Sequence, residues 1–125
     1  MVNVALLYAG SVIITLWGIA HIIPTKSIVN GFGEISTDNR LIITMDWIAE
    51  GLTLCFIGLL VFFTTMFAGP SNCTAKIVYM GCAIMLIALT ILSLFTGART
   101  SVVPMRICPI IKTTVAVLFL LGMVL

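Results

Sequence analysis

Charged side chains are nearly missing from this sequence. Of 125 residues, six are Lys or Arg and four are Asp or Glu, 8% in all, against roughly 25% in an ordinary soluble domain. Ten charges cannot cover the surface of a soluble fold of this size, so much of that surface must face lipid. The net charge of +2 is far below the basic excess with which proteins neutralise phosphates, which excludes nucleic acid as a partner. There is one histidine, so bis-histidine haem ligation is impossible. The four cysteines, Cys55, Cys73, Cys82 and Cys108, stand singly, without a C-x-x-C pair or a Cys/His spacing that suits zinc. That excludes a disulfide framework and a thiol redox pair, and leaves Cys55 and Cys82 as small packing residues inside helices. No H-x-x-x-H or E-x-x-H pair is present, so His21, Asp46 and Glu50 do not form a specific metal motif, and no cofactor is indicated. The N-terminus lacks the basic stretch and cleavage site of a signal peptide, so the first segment reads as a retained helix.

What the chain has instead is apolar length. Hydrophobic residues make up 62% of it, enough for four spans of about 20 residues each. Four runs stand out, residues 4–23, 41–67, 77–95 and 107–125, separated by Pro24 and Gly31-Phe32-Gly33, by Gly69-Pro70-Ser71-Asn72, and by Gly97 with Pro104. The expected architecture is all-α, an integral membrane four-helix bundle forming one domain over residues 1–125. Between the first two runs, Pro24 to Asn30 suits a short helix ended by Gly31, and Ser36, Thr37 or Asp38 suits the cap of the next span. Asn72-Cys73-Thr74 matches a glycosylation acceptor by chance.

Five of the six basic residues, Lys26, Arg40, Arg99, Arg106 and Lys112, fall in or beside the first and third loops, and only Lys76 falls by the middle loop. The positive-inside rule then places those two loops in the cytoplasm and both termini outside, in what reads as a prokaryotic cell membrane. This topology brings His21, Asp46, Glu50, Arg106 and Lys112 to one membrane face. The opposite two thirds of the bundle is almost purely apolar.

Within that layer Trp17 and His21 are four residues apart, as are Asp46 and Glu50, so each pair shares a helix face. Two carboxylates a turn apart repel unless a cation or base lies between them, and His21, Arg106 and Lys112 are the candidates. The resulting candidate site is Glu50, Asp46, His21, Trp17, Lys112 and Arg106. It suits a proton, a cation or the polar head of an amphiphile. Interfacial salt bridging, with Trp17 and Trp47 as headgroup anchors, is the competing interpretation. Glu50 lies deepest, and intramembrane ionisable groups are costly and usually mark function.

Small residues mark packing faces. Gly51, Cys55 and Gly58 form a stripe on the second span, Gly10 and Gly18 mark the first, and Gly81 with Ala88 marks the third. Residues 115–125 carry little of this pattern and are expected to face lipid. Three function classes follow: a binding or transport module, a non-catalytic subunit of a larger membrane complex, and a small enzyme using His21 and Glu50 as acid and base. Besides the bilayer, the partners expected are further copies of the chain or a larger membrane-protein complex.

The segment Leu16-Trp17-Gly18-Ile19-Ala20-His21, with its Gly-x-x-His patch in a short four-helix chain, resembles the DoxX-like group of small membrane proteins. That resemblance implies a four-helix membrane fold and a subunit role beside a quinone-coupled oxidoreductase. Small multidrug exporters share the length and helix number, but their key Glu lies in the first helix, whereas the carboxylates here lie in the second span.

Overall fold

A computed structural model describes residues 3–125, and every regular element among them is helical. Helix α1 runs Val4–Ile22, α2 Thr25–Asn30, α3 Thr37–Ala68, α4 Cys73–Phe95 and α5 Val103–Val124, with a single 3-10 turn at Gly97–Arg99 before α5. Four of these, α1, α3, α4 and α5, are long and apolar enough to cross a membrane. The protein is an integral membrane protein of the four-helix class.

Local chemistry sets the helix boundaries. The Ser36 hydroxyl accepts the Asn39 N–H at 3.1 Å and starts α3, and the Asn72 side chain accepts the Thr74 N–H at 2.8 Å and starts α4, each satisfying an N–H that has no partner in the first turn. This cap carries α4 four residues ahead of the apolar run that begins at Ile77. Gly69 ends α3 at φ +77, ψ 144, a conformation essentially reserved for glycine. Pro104 enters α5 in its first turn, where a missing N–H costs nothing, whereas Pro109 lies inside α5 and removes one N–H donor from its backbone ladder. Hydroxyls within the spans bond back to the preceding turn, Ser11 to the Leu7 carbonyl at 2.7 Å and Thr65 to that of Val61 at 2.7 Å. They need no water there.

The four long helices run alternately up and down. Leu7 near the start of α1 meets Gly122 near the end of α5, and Thr65 near the end of α3 meets Tyr79 in α4. α1 is the central element, packed on α3 along one side and on α5 along another, while α4 packs on α5. α3 and α4 touch only sparingly, although a short turn joins them. The core contains Leu7, Ile14, Leu54, Val61, Leu86 and Phe119, all fully buried. The outer surface is no less apolar, with Phe67 and Ile23 each 77% exposed, which is what a lipid-facing surface requires.

Close approach explains several of the glycines, Gly51 and Gly122 included. Gly18 of α1 lies against the Gly51 carbonyl and Cys55 of α3, Gly58 of α3 lies against Ser11 and Thr15 of α1, and Gly10 is covered by the Phe119 ring. Gly81 does not belong to this set, because nothing approaches its open face. The outer half of α5 also differs from expectation. Val115, Ala116, Phe119 and Gly122 are buried against the bundle, so this stretch presents lipid with only its other face. A helix apolar all round gives no contrast between lipid and core, and the position of its inner stripe is set by tertiary contact alone.

A polar pair interrupts the far end of the bundle. The Thr65 hydroxyl gives its proton to Val61, so the buried Tyr79 hydroxyl 2.9 Å away is the donor in their contact. Tyr79→Phe is expected to lower stability by about 0.6–1 kcal/mol. An unchanged unfolding midpoint in a detergent titration would contradict the pairing.

Candidate functional site

Away from Tyr79, at the level where α1 and α4 end while α3 and α5 are in mid-helix, lie the only ion pairs among the described residues. Glu50 projects from α3, Lys112 from α5, His21 from the last turn of α1 and Ser93 from the last turn of α4, so all four long helices contribute one side chain. The Lys112 ammonium donates to Glu50 Oε1 and, at 2.9 Å, to Ser93 Oγ. Ser93 directs its own proton to the Leu89 carbonyl at 2.8 Å and is therefore free to accept. Lys112 is 0% exposed. A buried ammonium is costly unless it is paired and hydrogen-bonded, and here it has both partners.

The second Glu50 oxygen faces His21, with Nε2 to Oε2 at 3.6 Å. That spacing is too long for a hydrogen bond, and Nε2 is buried without any other partner. The imidazole is held by stacking, its ring 4.1 Å from the Trp47 ring at an interplanar angle of 13°, while Trp47 Nε1 donates to the His21 carbonyl at 2.6 Å. A proton placed on His21 would turn the 3.6 Å separation into an attraction between opposite charges. Glu50 would then be flanked by two cations.

Beside His21 opens a cavity of 340 Å³ walled by Trp17, Ala20, Pro24, Trp47 and Met105 among others. The Trp17 indole is anchored through Nε1 to Cys108 Sγ at 3.3 Å. With both indole N–H groups occupied, the walls offer flat apolar faces, and His21 is the one titratable group that lines the cavity. From this layer to the far ends of α1, α3 and α4 the helices extend about 26–30 Å at 1.5 Å per residue, close to one hydrocarbon thickness. Along α5 the corresponding distance is about 18 Å, and α3 and α5 continue past the cluster in the other direction.

Of the residues singled out from sequence, the structure brings together Glu50, His21 and Lys112, with Trp17 across the adjoining cavity. It does not bring in Asp46 or Arg106. Asp46 is exposed and has no ion pair among the described residues. Four residues of helix shift it about 6 Å along α3 and about 40° around it, beyond the reach of Lys112. The expected carboxylate pair is thus a single carboxylate with its own counter-ion. Arg106 precedes Lys112 by six residues, about 120° away around α5. It lines a separate cavity of 640 Å³ on the outside of α4 and α5. Lys112 alone supplies the counter-ion sought among His21, Arg106 and Lys112.

Two participants were not singled out. Trp47, read as a headgroup anchor, is the platform for His21, and its place three residues before Glu50 on the same helix face was the available signal. Nothing in the sequence pairs Ser93 with Lys112. Among the described residues no three His, Cys, Asp or Glu side chains gather as a set able to hold a metal. Comparison of the chain with protein-family models, curated proteins and solved structures found no match.

Proposed function

We propose that this chain is a membrane binding module that takes up a proton together with an amphiphilic ligand at the Glu50, His21 and Lys112 cluster, from the cytoplasmic side. The observation that carries this reading is His21, a buried imidazole facing a carboxylate oxygen without a hydrogen bond and forming part of the wall of a 340 Å³ cavity. The Lys112 ammonium already balances Glu50, so a metal cation would have to displace it, whereas a proton displaces nothing. Two indole walls suit the apolar body of an amphiphile, and His21 suits its polar head. The cytoplasmic placement rests on the five-to-one distribution of Lys and Arg between the loops at the two ends.

Native mass spectrometry of the protein extracted gently from its own membrane tests this reading. A small-mass adduct is expected on the wild type, weakened about tenfold or more in His21→Ala and in Glu50→Gln, and retained in Asp46→Asn. An adduct that survives both of the first two substitutions would overturn it.

A second reading is that the chain is an accessory subunit, the role implied by its resemblance to the DoxX-like group. It draws support from the sparse contact of α3 with α4, where Phe56, Leu60, Gly81 and Met85 line an apolar groove of 440 Å³ that could take side chains of a neighbouring transmembrane segment. Larger foreign chains in the same spectrum, without a small adduct, would favour it.

A further inference from the structure

A second polar cavity lies outside the ion-paired layer. It has a volume of 440 Å³ and is formed where the end of α1 and α2 meet the first turns of α3, with Lys26, Arg40, Thr25, Thr44 and Asn30 on its polar side and Ile23 on its apolar side. Both charged residues that line it are cations. Neither forms an ion pair among the described residues, and the two acids of the same connection, Glu34 and Asp38, do not line it.

The Arg40 guanidinium is held in place by neutral partners. One terminal nitrogen donates to the Asn30 side-chain oxygen at 3.0 Å and the other to the Gly33 carbonyl at 3.4 Å. These bonds fix the group without cancelling its charge, and they leave further N–H donors for an anion. The hydroxyls of Thr25 and Thr44 give their protons to the Ile22 and Arg40 carbonyls, so the donors the cavity offers an anion come from Lys26 and Arg40. Thr44 lies about 9 Å beyond Glu50 along α3, on the side away from the apolar half of the bundle, and Ile23 is 77% exposed beside the cavity.

We infer that this cavity binds a phosphate-bearing anion, with Lys26 and Arg40 on the phosphate oxygens. An apolar wall continuous with the lipid-facing surface fits the headgroup of an anionic phospholipid, and basic pockets at the ends of membrane helices are suited to such headgroups. Free phosphate shares the same chemistry.

The test is native mass spectrometry of delipidated protein titrated separately with phosphatidylglycerol, phosphatidylcholine and inorganic phosphate. Saturable phosphatidylglycerol adducts are expected, with phosphatidylcholine bound weakly. Lys26→Gln and Arg40→Gln should each weaken the adduct about fivefold, and together about 25-fold, while Lys76→Gln at the opposite end leaves it unchanged. If inorganic phosphate binds alone and displaces the lipid, the anion site stands with free phosphate as its source. Equal binding of the two lipids without phosphate binding would overturn the inference. So would wild-type affinity for phosphatidylglycerol in the double variant, or an equal loss in Lys76→Gln. Should the double variant not remain monodisperse, the Lys26→Gln single variant decides on the same criteria.

Discussion

Glu50→Leu is expected to be the most destabilising single substitution in the protein, lowering the free energy of unfolding by about 3–5 kcal/mol. It leaves the Lys112 ammonium fully buried with Ser93 as its one remaining partner. The converse change, Lys112→Met, should cost less, about 2 kcal/mol, because the Glu50 side chain is 26% exposed and can turn towards water. Combining them should restore most of the loss, since a well-packed apolar pair often replaces a buried ion pair without penalty. Reversible unfolding in mixed micelles, run as a double-mutant cycle, measures all three. Losses that simply add would show that the two side chains are energetically independent and would contradict the geometry described here. The apolar double variant also separates stability from function, because it should fold and yet bind no ligand at the His21 cavity.

Gly18→Ala comes next, with an expected cost of about 2 kcal/mol. The new methyl carbon would lie 2.7 Å from Cys55 Sγ, 2.8 Å from the Gly51 carbonyl oxygen and 2.9 Å from the Cys55 nitrogen. Two of these atoms are α3 backbone, so relief requires α1 and α3 to move apart rather than a side chain to rotate. His21 lies less than one turn further along α1, and the same displacement should lengthen its 3.6 Å approach to Glu50 and weaken ligand binding. Gly81→Ala is the control, because nothing lies within 4 Å of its added carbon. A Gly18→Ala protein as stable as the Gly81→Ala protein would refute the tight α1–α3 contact.

The four spans were legible in the sequence because a membrane imposes apolar length so strongly that runs of about 20 residues need no finer pattern. The α3 cap was legible for a different reason, since Ser36 acts through a local hydrogen bond that tertiary packing does not change; the short α2 ends at Asn30 as expected, although Gly31 after it keeps a right-handed helical φ of −64. Helix rotation was much less legible. In a soluble helix polar residues mark the outer face, but in α5 the lipid-facing Ile110 and Val117 and the core-facing Val115 and Phe119 are equally apolar. The polar layer was legible in depth and only partly in azimuth. Counting along the helices brings Glu50, His21, Lys112, Asp46 and Arg106 to one end and sets their offsets of about 40° and 120° within α3 and α5, but which of them meet depends on how each helix is turned about its axis, which sequence alone does not fix.

The Glu50–Lys112 pair joins residues 62 positions apart, and this spacing has a consequence for biogenesis. At roughly 5–20 residues per second the ribosome needs about 3–12 s to travel from one to the other. Throughout that interval α3 must settle in the bilayer with its carboxylate still lacking Lys112, and α5 must later bring in an ammonium whose own insertion is unfavourable. The nascent three-helix chain thus lacks the lysine that later balances Glu50, and until α5 arrives His21 is the one basic side chain beside it. Quality-control proteases of the membrane would meet this intermediate, rather than the finished bundle, whenever synthesis stalls before Lys112.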